Sequence, residues 1–137
     1  MPSPAPRILL IMPEQWPRAL LRAALRESGY DAVGAPGLPG ALHFPSTDPD
    51  RGPVRLLVID QDALRGPDAG NELAALIDRH GRPELMLLAK GAPASLPTTA
   101  RKIGWHRTVR RPASIAELME AVRAMLPLPP DGRRPLD

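Results

Sequence analysis

The chain has 137 residues, the usual size of one domain, and its 43% apolar and 24% charged residues are typical of a soluble globular protein. It contains no cysteine, which excludes disulfide frameworks, thiolate metal sites and cysteine nucleophiles. No apolar run approaches the ~20 residues of a membrane helix. Residues 1–6 lack the basic start and apolar core of a signal peptide. We therefore expect a cytoplasmic protein that does not associate with membranes.

The net charge of +3 is unevenly distributed. Between Glu84 and Glu117 there is no acidic residue, and the six basic residues are Lys90, Arg101, Lys102, Arg107, Arg110 and Arg111. The chain has 18 basic and 15 acidic residues, so the remainder carries twelve basic residues against all 15 acidic ones. One contiguous segment is therefore basic, whereas the rest of the chain is mildly acidic.

The first half of the chain predicts two strands that flank a helix. Residues 7–12 (RILLIM) form a short apolar run that Pro13 ends, as in a strand buried on both faces. Apolar residues then recur at helical spacing until Gly29, and residues 30–33 predict a second strand. Five prolines crowd residues 36–53, so we expect only a short helix there, at 40–44.

The second half predicts three more strands, each followed or preceded by a helix. Residues 54–59 (VRLLVI) form another buried run, and it ends on Asp60. Ser114 and Glu117 have the spacing of a capping box, which predicts a final helix that Pro127 ends. The other predicted elements are a helix at 71–80, a strand at 85–89, a short helix at 96–102 capped by Ser95, and a weak strand at 107–109.

Alternating strands and helices joined by short links predict an α/β fold with a doubly wound, five-stranded parallel sheet and a reduced second helix. We expect this domain to span residues 7–126. Residues 1–6 would form a flexible N-terminal tail, and residues 127–137 a tail rich in proline and arginine. No glycine follows the first strand, which disfavours a phosphate-binding loop or dinucleotide fingerprint.

The order and spacing of these segments resemble the receiver domain of bacterial response regulators, a flavodoxin-like phosphoacceptor module of two-component signalling. The resemblance covers nearly the whole chain. It rests on RILLI as first strand, LLVID with Asp60 at the phosphoacceptor position, LMLLA as fourth strand, Gly104 before the fifth, and RRP followed by SIAELMEAVRAML.

The resemblance also implies a set of active-site residues that this chain has largely replaced. Receivers hold Mg²⁺ with an acidic pair after the first strand, where this chain has Met12 and Pro13, with Glu14 one place later. Ala89 stands at the Ser/Thr position after the fourth strand, Arg111 at the lysine position and Thr108 at the usual aromatic position. The pattern indicates a degenerate pseudo-receiver without a metal, cofactor or enzymatic activity.

We expect Pro13, Ala89 and Arg111 to close the former pocket, with Arg111 pointing towards Asp60. The leading hypothesis is a phosphorylation-independent protein-interaction module. One alternative is a response regulator that is still phosphorylated at Asp60, and another is a regulatory domain that binds an anion or nucleotide through its arginines. The triplet Asp60-Gln61-Asp62 imitates a metal-binding pattern, but such a triplet often occurs by chance.

The partner-binding residues are predicted to be Arg101, Lys102, Trp105, Arg107 and Arg110. They belong to the predicted fourth helix, the fifth strand and the link between them, so their charges would lie side by side and favour an acidic protein partner, bound through these elements and the last helix. The same face could form a homodimer or be an ordinary solvated surface. Nucleic acid is disfavoured, because no aromatic platform or recognition helix accompanies the charge.

Two further expectations concern aromatic side chains. Trp105 could anchor a partner or be a partly buried core residue. The three histidines, His43, His80 and His106, lie far apart in the sequence without carboxylates at ligand spacing, so we expect ordinary surface side chains.

Overall fold

The computed structural model describes residues 5–46, 48–91, 96 and 98–128, and five strands alternate with helices along them. The strands are β1 (Arg7–Ile11), β2 (Asp31–Ala35), β3 (Val54–Asp60), β4 (Glu84–Ala89) and β5 (Arg107–Arg110). The helices are α1 (Gln15–Glu27), α2 (Leu38–Leu42), α3 (Ala69–Arg79), α4 (Thr98–Arg101) and α5 (Ile115–Met125). A 3₁₀ turn, Gln61–Ala63, follows β3.

All strand pairs are parallel, and the strand order is β2-β1-β3-β4-β5. This confirms the predicted doubly wound sheet. The direction in which successive strands are added reverses between β1 and β3, and ligands of such sheets bind beyond the carboxyl ends of the strands at that point. Met12 and Asp60 lie at these two strand ends.

Helices cover both faces of the sheet, which explains why its central strands are continuously apolar rather than alternating. On one face, Leu9, Leu57 and Leu87 lie in a buried cluster with side chains of α2, α3 and α4. On the other face, the neighbouring strand residues pack with α1 and α5. Strands β1 to β4 therefore contribute alternate side chains to two separate cores, and the edge strand β5 contributes Val109 to one of them.

The helix ends follow the predicted signals. Gly29 stops α1 with φ of 109°, a backbone conformation that favours glycine. In the α5 capping box, Ser114 Oγ accepts from the Glu117 N–H at 3.1 Å, and Glu117 Oε1 accepts from the Ser114 N–H at 3.0 Å. Helix α2 begins earlier than predicted, because Pro39 fits its first turn, where no backbone N–H is needed.

Helix α4 is shorter than its predicted range of 96–102, and its proposed cap, Ser95, lies outside the described residues. Most of the two predicted tails, residues 1–4 and 129–137, also lies outside them. No helix in the described part of the chain is long and apolar enough to span a membrane.

His80 is buried, which corrects the expectation of a surface histidine: only 6% of it is exposed. Its ring centroid lies 6.5 Å from that of Phe44, and Phe44 in turn lies under the Arg7 guanidinium at 5.0 Å. Burial lowers the pKa of His80, and the positive charges of Arg79 and Arg7 lower it further, although the Ser46 backbone opposes them. His80 follows Leu76 and Ile77 at helical spacing, so the buried face of α3 carries its ring into the core.

The other two histidines are more accessible. His43 is exposed, as expected for a surface histidine. The exposed His106 accepts a hydrogen bond at Nδ1 from the Leu85 N–H at 2.9 Å, and its Nε2 lies 3.7 Å from Glu84 Oε2. The large apolar side chains exposed on the described surface are Trp16 and Leu20, both on α1.

Candidate functional site: a carboxylate cluster held by Arg111

The candidate site lies at the carboxyl edge of the sheet, where β3 ends. Asp60 is the last residue of this central strand and is 5% exposed. Arg111 directly follows β5, and its backbone N–H donates to the Ala89 carbonyl at 2.8 Å. This bond continues the β4–β5 ladder and fixes the point from which the arginine side chain extends towards Asp60.

The predicted contact between Arg111 and Asp60 is present. Arg111 Nη1 lies 2.8 and 3.0 Å from the two Asp60 oxygens, and 3.1 Å from Asp62 Oδ2. Its Nη2 lies 3.6 Å from Glu14 Oε1. One guanidinium therefore faces three carboxylates, and we call Glu14, Asp60, Asp62 and Arg111 the Arg111 cluster.

Asp62 is the member of this cluster that sequence reasoning missed. The Asp62 N–H donates to Asp60 Oδ1 at 2.8 Å, which folds the chain back in the 3₁₀ turn and brings the second carboxylate beside the first. Arg65 Nη2 lies 3.0 Å from Asp62, and Lys90 Nζ lies 3.6 Å from it. The Asp60-Gln61-Asp62 triplet was the available signal, but its carboxylates pair with cationic side chains.

Burial and charge act in opposite directions on these groups. Burial raises the pKa of Asp60, and this outweighs the Asp62 N–H and the positive charge of Arg111. Burial also acts to raise the pKa of Asp62, but hydrogen bonds from Arg111 and Arg65 lower it overall. Burial acts to lower the pKa of Arg111, but Asp62 and Asp60 raise it above its ordinary value. The Arg111 guanidinium therefore stays charged, whereas burial makes ionisation of Asp60 less favourable.

A cavity of about 190 Å³ lies beside Asp60 and Arg111, with Met12, Glu14, Leu88 and Leu118 among its lining residues. Two residues predicted to close this pocket do not line it. Pro13 is exposed, because the chain turns outward after β1, and Ala89 lines a groove on the other face of the sheet. The pocket is therefore bounded by the apolar Met12 and by Glu14, with Arg111 across from them.

The Mg²⁺ ion that the receiver resemblance implies does not fit these residues. Mg²⁺ requires near-octahedral oxygen ligands, whereas the positions of the acidic pair hold the thioether of Met12 and the exposed Pro13. The space where Glu14, Asp60 and Asp62 converge is occupied by the Arg111 guanidinium. Among the described residues, no group of three or more histidine or acidic side chains is arranged to hold a metal ion.

The predicted basic face is divided by the fold. The exposed basic residues Arg101, Lys102, Arg107 and Arg110 form no salt bridge within the described part of the chain. Strand alternation places Arg107 on the face of Val109, which packs with the α1 and α5 core, and Arg110 on the opposite face. The expectation that all four charges lie side by side is therefore wrong.

Arg101 and Arg110 line one groove together with Trp105. Lys102 lines a separate groove of about 530 Å³ between α3 and the start of β4, beside Ile77 and His106. Trp105 is half-buried against the core, and its Nε1–H donates to the Ala100 carbonyl at 2.9 Å. Trp105 is therefore a partly buried core residue whose remaining surface lines this groove.

Comparisons with solved structures identify the fold. A response regulator receiver protein from Pseudomonas putida matches with a TM-score of 0.67 at 22% identity, over 89% of this chain and 98% of that one. A response regulator from Thermotoga maritima matches with a TM-score of 0.69 at 16% identity, over 88% and 97%. No family model and no curated protein matches the sequence.

A third similar structure is a response regulator protein from Burkholderia pseudomallei with a phosphorylated aspartic acid, a calcium ion and citrate. It matches with a TM-score of 0.66 at 18% identity, over 85% of this chain and 65% of that one. The chain therefore has the flavodoxin-like fold of response regulator receiver domains.

Proposed function

We propose that this chain is a pseudo-receiver of two-component-type signalling, which acts as a protein-interaction module without phosphorylation at Asp60. The observation that carries the proposal is the contact of Arg111 Nη1 with both oxygens of Asp60, at 2.8 and 3.0 Å. A side-chain cation thus contacts both Asp60 oxygens that phosphoryl transfer would need.

The chemistry of phosphoryl transfer explains why this contact matters. The Asp60 oxygen that attacks must approach an already anionic phosphoryl group, and receivers offset that repulsion with a metal ion. Here both oxygens already accept from Arg111, and Oδ1 also accepts from the Asp62 N–H. Phosphorylation would have to break these bonds and create a dianion beside Asp62 and Glu14 without a metal to offset it.

The partner is an acidic protein surface that approaches the β5 edge. Arg101 and Arg110 lie on one side of this edge strand and Arg107 on the other, and all three are exposed and form no salt bridge with a described residue. Exposed charges of one sign accelerate association with an oppositely charged surface and confer salt dependence on it. Binding through this edge leaves the Arg111 cluster intact.

The experiment is incubation with acetyl phosphate and Mg²⁺, followed by intact-mass spectrometry. We expect no species heavier by one phosphoryl group under conditions that phosphorylate a receiver with the full acidic pair, run in parallel. The matched control is Asp60→Asn, which should give the same spectrum as the wild-type chain. A phosphoryl adduct that is present in the wild type and lost in Asp60→Asn would overturn the proposal.

A further inference from the structure

A groove lies on the outer half of the sheet, between β4, β5 and α4, on the face opposite to α1 and α5. Its volume is about 390 Å³, within the ~300–1,000 Å³ of small-molecule sites. The lining residues that matter here are apolar Leu87, Ala89, Leu96 and Trp105, and basic Arg101 and Arg110. We call this the Trp105 groove.

The apolar lining of the groove is held in place by the core. Leu87 and Leu96 belong to the buried cluster beneath it, and Ala89 and Trp105 pack against that cluster. The indole Nε1–H of Trp105 is already used by the Ala100 carbonyl at 2.9 Å. The indole therefore contributes a fixed apolar surface to a ligand rather than a hydrogen-bond donor.

Within the described part of the chain, the two arginines of the groove have no acidic partner, whereas some other arginines do. Arg7, Arg65 and Arg111 each pair with an aspartate. Arg101 donates from Nη2 to the Thr98 hydroxyl at 3.2 Å, which leaves its other N–H groups available, and Arg110 has no salt bridge to a described residue. None of the described residues that line the groove is acidic, so no carboxylate among them offsets its positive charge.

We propose that the Trp105 groove binds a small organic acid, whose apolar body packs on Trp105 and whose carboxylate pairs with Arg101 and Arg110. Guanidinium groups match carboxylates in geometry as well as charge. The apolar lining requires a hydrophobic ligand body, which a bare inorganic anion lacks. The inference is independent of the proposed lack of phosphorylation, because the groove and the Arg111 cluster use different side chains. It shares Arg101 and Arg110 with the proposed partner surface, so the small acid and an acidic protein would compete for these two side chains.

The test uses a single ¹⁹F reporter. The chain has two tryptophans, and Trp16 is 75% exposed on α1, on the other face of the sheet. In the full-length Trp16→Phe variant labelled with 5-fluorotryptophan, Trp105 therefore gives the only signal. The probe is 1-naphthoate, and neutral 1-naphthalenemethanol is its matched uncharged analogue.

We expect a saturable shift of the Trp105 resonance with 1-naphthoate, and binding about tenfold weaker for the neutral analogue. Arg101→Ala and Arg110→Ala should each raise the dissociation constant about tenfold. Arg107→Ala is the control, because it removes the same charge from the same strand on the opposite face, and it should change the constant less than about twofold. Circular dichroism melts confirm that each variant folds, since exposed charges contribute little to stability.

Several results would overturn the inference. A shift that does not saturate, or equal affinity for the neutral analogue, would show that no anion site exists. If Arg107→Ala weakened binding as much as Arg101→Ala and Arg110→Ala, the effect would depend only on the net charge of the protein. Tighter binding of an acetylated peptide of alternating leucine and glutamate would assign the groove to a protein segment instead.

Discussion

Replacing Arg111 with methionine removes the cation of the Arg111 cluster but keeps an unbranched apolar side chain beside Met12 and Leu88. The Asp60 side chain is 7% exposed and that of Arg111 is 26% exposed, so the carboxylate is the more buried partner. Without the guanidinium, Asp60 keeps one hydrogen bond from the Asp62 N–H and stays next to two other carboxylates. The variant should therefore be less stable than the wild type.

The size of the effect follows from two limits. A hydrogen bond to a charged group contributes about 1.5–3 kcal/mol, and breaking a fully buried ion pair costs about 3–5 kcal/mol. Because a quarter of Arg111 is exposed and a cavity adjoins it, water can partly replace the lost contact. We therefore expect Arg111→Met to lower the free energy of unfolding by about 1–3 kcal/mol at pH 7.

The loss should also depend on pH. The pKa of Asp60 is already raised by burial, and removing Arg111 raises it further. A carboxyl with a raised pKa in the folded state favours folding as pH falls through that value, because the folded protein then takes up the proton. The difference between variant and wild type should therefore shrink from pH 7 towards pH 5.

Urea unfolding followed by circular dichroism measures both effects. The double-mutant cycle with Asp60→Asn should give a coupling free energy of about 1–2 kcal/mol between the two side chains. Arg111→Lys keeps the positive charge but not the planar set of N–H donors, so its loss of stability should be intermediate. A loss below about 0.5 kcal/mol at pH 7, or no coupling in the cycle, would refute the assigned role of Arg111.

Three further predictions concern other parts of the chain. The lowered pKa of His80 favours its neutral form in the folded state, so the wild type should lose stability as the pH falls below the ordinary histidine pKa of 6.5. The His80→Phe variant should lose less stability over the same pH range. Urea melts from pH 8 to 5.5 test this, with His43→Gln expected to behave as wild type. Ser114→Ala should cost about 0.5–2 kcal/mol in thermal melts through loss of the α5 cap, and no loss would contradict the capping box. The triple variant Met12→Asp, Pro13→Asp and Arg111→Lys should bind Mg²⁺ in isothermal titration calorimetry, and heats equal to those of the wild type would show that these three positions do not determine metal binding.

The sheet was predictable because its strands are buried on both faces. The runs RILLI, VRLLVI and LMLLA have no alternation, lie between glycine- and proline-rich links, and alternate with amphipathic helices, which leaves a parallel sheet as the simple arrangement. The observed strands β1, β3 and β4 match these runs to within a residue. The capping box of α5 was equally predictable, because it is local.

The site was only partly predictable, because its geometry depends on how elements end and face each other. The Arg111–Asp60 pair followed from their positions at strand ends, but the recruitment of Asp62 depends on the 3₁₀ turn after β3. The basic segment is contiguous in sequence, which predicts one surface. Strand alternation separates Arg107 from Arg110, and only the three-dimensional arrangement places Arg110 with Arg101 and Trp105.

The measurement that tests the central claim most directly is a ¹⁵N chemical-shift titration of the wild-type chain with Mg²⁺ and beryllofluoride, which together mimic the phosphorylated aspartate and its metal. The account predicts no saturable shifts at the backbone amides of Asp60, Asp62 and Arg111, because the guanidinium holds the carboxylates that these ligands need. Saturable shifts at these amides would contradict it.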